Sequence, residues 1–90
     1  MLYFVIERFK NGDPQPVGER FQRLGRMTPP GLVYHTSWVE TNGARCFQVM
    51  ESPNEGLLHE WTRQWDDLVD FEIVPVLTSA DFWVRPSQSQ

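Results

Sequence analysis

From Leu2 to Phe9 the chain reads LYFVIERF, a run of β-formers that ends at Asn-Gly-Asp-Pro. Such a run closed by a turn signal predicts a first strand. Asp13 can then cap a helix with Pro14 at its first position, where a missing N–H costs nothing, and Val17, Phe21, Leu24 and Met27 recur at helical spacing. Thr28-Pro-Pro-Gly ends that helix. Next come two β runs, LVYHTSWVET and ARCFQVMES, joined by Asn42-Gly43. Asn-Gly between such runs predicts a hairpin with a type I′ turn, which needs positive φ at both central residues.

Ser52, Pro53 and Glu55 have the order of an N-cap, a first-turn proline and a capping-box partner, so a second helix is expected from Pro53. Leu57, Leu58, Trp61, Trp65 and Leu68 form its apolar stripe. Phe71 to Thr78 predicts the last strand, and Pro75, which cannot donate to a ladder, places it at an edge or a bulge. The tail from Ser79 can form a short helical turn through Trp83, with the final Arg-Pro-Ser-Gln-Ser-Gln frayed. The order βαββαβ predicts an α+β, ferredoxin-like domain over residues 1–79, a four-stranded antiparallel sheet with both helices on one face, and a tail over 80–90.

The hairpin register follows from its turn. Glu40 falls opposite Arg45, Trp38 opposite Phe47, Ser37 opposite Gln48 and His35 opposite Met50, and the charge pair and aromatic pair support that alignment. One face of the hairpin then holds Tyr34, Thr36, Trp38, Phe47 and Val49, and it is assigned to the helices together with Leu2, Phe4 and Ile6. The other face holds His35, Ser37, Cys46, Gln48 and Met50, joined by Tyr3, Val5, Glu7, Glu72, Val74 and Val76. Two helices cover one side of a sheet, so this mixed, partly apolar side is expected to meet a second copy of the chain. Polar groups would then line a cavity between the two sheets.

Composition narrows the class. Four Trp and six Phe in 90 residues belong to a globular chain. The net charge of -4 gives no electrostatic footprint for nucleic acid. The single Cys46 fits a reducing compartment, and neither a leader pattern nor a membrane-length apolar run is present, so a cytoplasmic protein without membrane association is expected.

The segments VIERFKNGDPQPV, SWVET, RCFQVMES and EWTRQWDDLVDFEIVPVLTS together resemble a family of short bacterial proteins known only as a domain of unknown function. That family is similar to the dimeric α+β barrel group. The resemblance implies the ferredoxin-like fold and a homodimer, and it carries no reaction or catalytic residues. The wider group includes cofactor-free monooxygenases, haem-degrading enzymes, isomerases and proteins with no known reaction, so fold does not select among them.

Six residues are candidates for a ligand site in the inter-sheet cavity: His35, Ser37, Gln48, Met50, Glu7 and Glu72. His35 could act as a base, Ser37 and Gln48 could orient a carbonyl or hydroxyl, and Glu7 and Glu72 could meet as a carboxyl pair with a raised pKa. Each has an ordinary structural role as well: a hydrogen-bonded imidazole, a cross-strand polar pair, and carboxylates paired with Arg8 or Arg45. Cys46 reads as a small buried hydrophobe, and Trp38, Trp61 and Trp65 as core. The Asp-rich stretch Trp65 to Asp70 lacks a calcium-loop pattern, and neither metal nor cofactor is expected. A non-enzymatic homodimer that binds a small apolar or aromatic ligand between its sheets is the first expectation. A cofactor-free monooxygenase or isomerase and a purely structural dimer are the alternatives.

Overall fold

The computed structural model describes residues 1–84. Four strands, β1 (Leu2–Phe9), β2 (Val33–Val39), β3 (Arg45–Glu51) and β4 (Val69–Val76), form one antiparallel sheet in the order β2-β3-β1-β4. With α1 (Gln15–Leu24) and α2 (Glu55–Thr62) between the strands, this is the ferredoxin-like α+β arrangement. A short α3 (Ser79–Trp83) follows β4, and the expected frayed end at 85–90 lies outside the described residues. β4 is an edge strand, as Pro75 requires. No helix among the described residues is long and apolar enough to cross a membrane.

Local chemistry sets the boundaries. α1 begins one residue later than expected: Pro14 holds the N-cap position without a side-chain cap, while Asp13 Oδ1, one residue before it, accepts the Gln15 N–H at 3.0 Å, and the helix ends at Leu24, a turn earlier than its apolar spacing suggests. Gly25 and Met27 then both take positive φ, 71° and 62°. α2 begins two residues later than expected. Asn54, not Ser52, is its cap, accepting the Leu57 N–H, while the Ser52 hydroxyl donates to the Asn54 carbonyl. From Thr36 to the turn the hairpin keeps its register, but its turn is not type I′. The Gly43 N–H bonds the Glu40 carbonyl at 2.8 Å, only Gly43 has positive φ, and Asn42 Oδ1 accepts the Ala44 N–H. The closing pair is the Glu40–Arg45 ion pair, bidentate at 2.7 and 3.0 Å.

Three findings correct the sequence-based faces. A bulge between Tyr34 and Thr36 leaves His35 as the extra residue and moves Tyr34 opposite Met50. The helices, moreover, cover the opposite side of the sheet from the one assigned. Tyr3, Val5 and Met50 are buried with Leu32, Leu58, Trp61 and Trp65 in the main core, and Phe9, Cys46 and Val69 form a second cluster beside it. Trp61 packs on the Phe71 ring at 5.6 Å. The two faces carry similar apolar loads, so hydrophobicity alone does not rank them. Burial of the mixed face is eased because its strongest polar groups, Glu7 and Gln48, bond each other, although Gln48 Oε1 stays without a partner among the described residues.

β4 also presents the opposite alternation from the one expected: Val74 and Val76 register with Phe4 and Leu2, not beside Tyr3 and Val5, so the uncovered side presents Leu2, Phe4, Ile6, Phe47, Val49, Val74 and Val76, with Phe4 and Phe47 stacked at 6.0 Å. Trp38 lies opposite Phe47 as its register demands, but it is 57% exposed and not core.

Candidate functional site

α1 buries none of its residues, and β2, the strand at the far edge, is exposed along most of its length. The helix stands off the sheet. A cavity of about 300 Å³ lies between them, floored by Glu7, Cys46 and Gln48, roofed by Val17, Gly18 and Phe21, and walled by Trp61 and Trp65. Ser37, Val39 and Arg26 also line it. Its size is at the lower end for small-molecule sites, and its lining is mainly apolar with a few convergent polar groups, as such sites require. Four larger hollows, two of about 490 Å³ beside Trp83 and beside Arg23 and two of about 440 and 380 Å³ beside Glu51 and beside His59, are more open clefts that contain no buried polar side chain.

Period-two alternation positions the floor. Val5, Glu7 and Phe9 on β1 point to the helices, and Glu7 pairs across the sheet with Cys46, which directs Gln48, two residues on, to the same side. Glu7 is 5% exposed and Gln48 6%. Gln48 Nε2 donates to Glu7 Oε2. Desolvation pushes the Glu7 carboxyl up from 4.5 to about 7, against the opposing influence of the Gln48 hydrogen bond and the Arg26 charge. Burial, and then the charge of Glu7, push the Cys46 thiol up to about 12, so Cys46 is a poor nucleophile and fits its reading as a buried apolar group. Gln48 Oε1 is buried without a hydrogen-bond partner among the described residues.

Arg26 was not legible as a site residue. Its carbonyl accepts the indole N–H of Trp61 at 2.8 Å and of Trp65 at 3.1 Å, which fixes both indoles in the cavity wall. Its guanidinium lies 3.6 Å from the centre of the Tyr34 ring and 5.1 Å from that of Phe21. The available signal was the Trp61/Trp65 pair, since two buried indoles four residues apart each need an acceptor, although α2 ends at Thr62 and Trp65 lies in the turn beyond it. Arg20 secures the other end of α1 through a bidentate pair with Asp67 at 2.8 and 2.7 Å. That bond holds the Asp67 carboxyl below the usual carboxylate range and accounts for one acid of the Asp-rich stretch.

Of the six candidates, the fold brings four to one side. Glu7, Gln48 and Ser37 line the cavity, and Met50 is fully buried in the adjoining core. Ser37 Oγ is 2.7 Å from the Tyr34 hydroxyl. His35 and Glu72 lie on the opposite, uncovered side. The bulge sends His35 to Glu51, 2.8 Å away, and Glu72 pairs with Arg8 at 3.5 Å. Glu7 and Glu72 do not meet, because Glu7 registers with Phe71 and Glu72 with Ile6. The cavity that gathers the polar candidates is thus inside one chain, under α1.

These features define a ferredoxin-like α+β protein with a ligand-sized cavity between its first helix and its sheet. The chain belongs to the DUF3303 family, a domain of unknown function, whose profile matches residues 1–87. No curated protein and no solved structure matches it.

Proposed function

We propose that the protein binds a small apolar or aromatic ligand in the cavity between α1 and the sheet. The observation that carries this reading is a buried carboxyl–carboxamide pair at the floor of an otherwise apolar, ligand-sized cavity. Gly18 supports it. Glycine inside a helix costs roughly 0.5–1 kcal/mol relative to alanine, and a Cβ built at Gly18 meets nothing within 4 Å, so packing does not demand its absence. A side chain at this lining position would reduce the space.

Calorimetric titration with p-xylene and p-cresol tests the proposal. Saturable binding by the natural chain is expected, and at least about tenfold weaker binding by a Gly18→Leu variant of equal or higher melting temperature. Equal binding by both proteins would count against this cavity.

The pKa of Glu7 supports a second reading, a cofactor-free isomerase in which Glu7, not His35, moves the proton. Deuterium uptake from solvent into a bound carbon acid, lost in Glu7→Gln, would favour it over binding alone.

We further propose that the uncovered face joins two copies. Its apolar centre is rimmed by the Arg8–Glu72 and Glu40–Arg45 ion pairs, each neutralised within the chain, and by His35 hydrogen-bonded to Glu51. Two-fold pairing of such a face buries the apolar centre and leaves the charged groups at its rim, which is how isologous interfaces are built.

A further inference from the structure

We infer that the ligand of this cavity is an aromatic molecule carrying an O–H or N–H donor, and that Gln48 and Glu7 receive that donor. The inference rests on the binding reading above and adds the chemistry that selects the ligand. Gln48 gives its amide N–H to Glu7 Oε2, which leaves two acceptors in the floor without a protein donor. One is Gln48 Oε1, buried and unpartnered, and the other, when the carboxyl is ionised, is Glu7 Oε1, which accepts no hydrogen bond from the described residues and is not itself fully buried.

None of the donors in the cavity wall bonds either of them. The Trp61 and Trp65 N–H groups are both committed to the Arg26 carbonyl, and the Ser37 hydroxyl is engaged with Tyr34. Arg26 lays its guanidinium on the Tyr34 and Phe21 rings and makes no hydrogen bond to either acceptor. An acceptor left unpaired in a buried site is costly, so a molecule that brings a donor gains more than its area of contact alone would give. The terminal torsion of a glutamine is soft, and a small turn of the amide presents its oxygen to the cavity. Around this floor stand the aromatic and aliphatic faces of Phe21, Trp61, Trp65 and Val17, which suit a flat apolar body.

Matched probes of nearly equal shape isolate the donor: p-cresol against p-xylene, and indole against indene, titrated calorimetrically into the natural chain and into a Glu7→Leu/Gln48→Leu double variant. The variant replaces a buried polar pair by apolar groups of similar size, a change such sites commonly tolerate. In the natural chain, p-cresol and indole are expected to bind at least about tenfold tighter than their partners, and in the variant the preference should fall to near parity. Equal affinity within each pair in the natural chain would overturn the donor inference and leave the cavity reading standing. A preference that survives in the variant would place the donor's partner elsewhere and also overturn it. Failure of all four probes to bind would sink the binding reading itself.

Discussion

A Glu7→Gln variant is expected to be more stable than the natural protein at neutral and alkaline pH, and about equally stable in acid. The folded chain holds the Glu7 carboxyl at about 7, against 4.5 without burial. Below 4.5 both folded and unfolded states are protonated and Glu7 carries no penalty. Between 4.5 and 7 the unfolded chain releases its proton while the folded chain keeps it, so stability falls as pH rises through this window. Above about 7 the loss is complete and amounts to about 3 kcal/mol. Arg26 and Cys46 are the other charged or titratable groups lining the cavity, and both remain in the variant. Glu40 and Asp67, whose carboxyls are held low by Arg45 and Arg20, contribute stability that is lost in stronger acid, and this cancels in the comparison. Urea unfolding of both proteins across this pH range should give curves that meet near pH 4.5 and diverge above it. Parallel curves would mean that Glu7 ionises freely in the folded protein. Retaining a destabilising carboxyl in the core is what a functional site, not a packing solution, accounts for.

The second large effect concerns assembly, and it separates the two faces of the sheet. Val74 lies opposite Phe4 on the uncovered side, whereas Val39 is on the cavity side at the exposed edge strand. Val74→Glu places an uncompensated charge in the proposed interface, which should weaken self-association at least about a hundredfold. Val39→Glu should leave it intact. Sedimentation at micromolar concentration, with circular dichroism to verify folding, is expected to show a dimer for the natural chain and for Val39→Glu and a monomer for Val74→Glu. A monomeric natural chain would remove the dimer, and dissociation by Val39→Glu alone would restore the opposite face as the interface.

The strands, both main helices, the edge position of β4 and the Glu40–Arg45 register were legible because each depends on local signals: a turn, a cap, a period of 2 or 3.6. The choice of face was not. Leu2, Phe4, Ile6, Phe47 and Val49 compete with Tyr3, Val5, Cys46 and Met50, and the ordinary preference for polar groups outside points Glu7, Ser37 and Gln48 toward an open side. The fold buries Glu7 and Gln48 as a mutually bonded pair, a tertiary fact that periodicity does not carry. The bulge at His35 was hidden for a similar reason, since one extra residue in a strand leaves no compositional mark, and it separates His35 from the residues with which it was grouped. Glu7, Ser37 and Gln48 were nevertheless correctly placed on one face of the sheet with Met50. Local rules fail here at the polar positions that the fold collects into a cavity, which is where function is expected to override them.

The most direct test of the central claim is a nitrogen-resolved NMR titration of the natural chain with p-cresol, read at the four indole N–H signals and at the Gln48 side-chain amide. Binding under α1 predicts that the Gln48, Trp61 and Trp65 signals move together and saturate, while those of Trp38, on the uncovered face, and Trp83, in α3, stay in place. Movement of Trp38 or Trp83 with Gln48, Trp61 and Trp65 unchanged, or no movement at all, would contradict it.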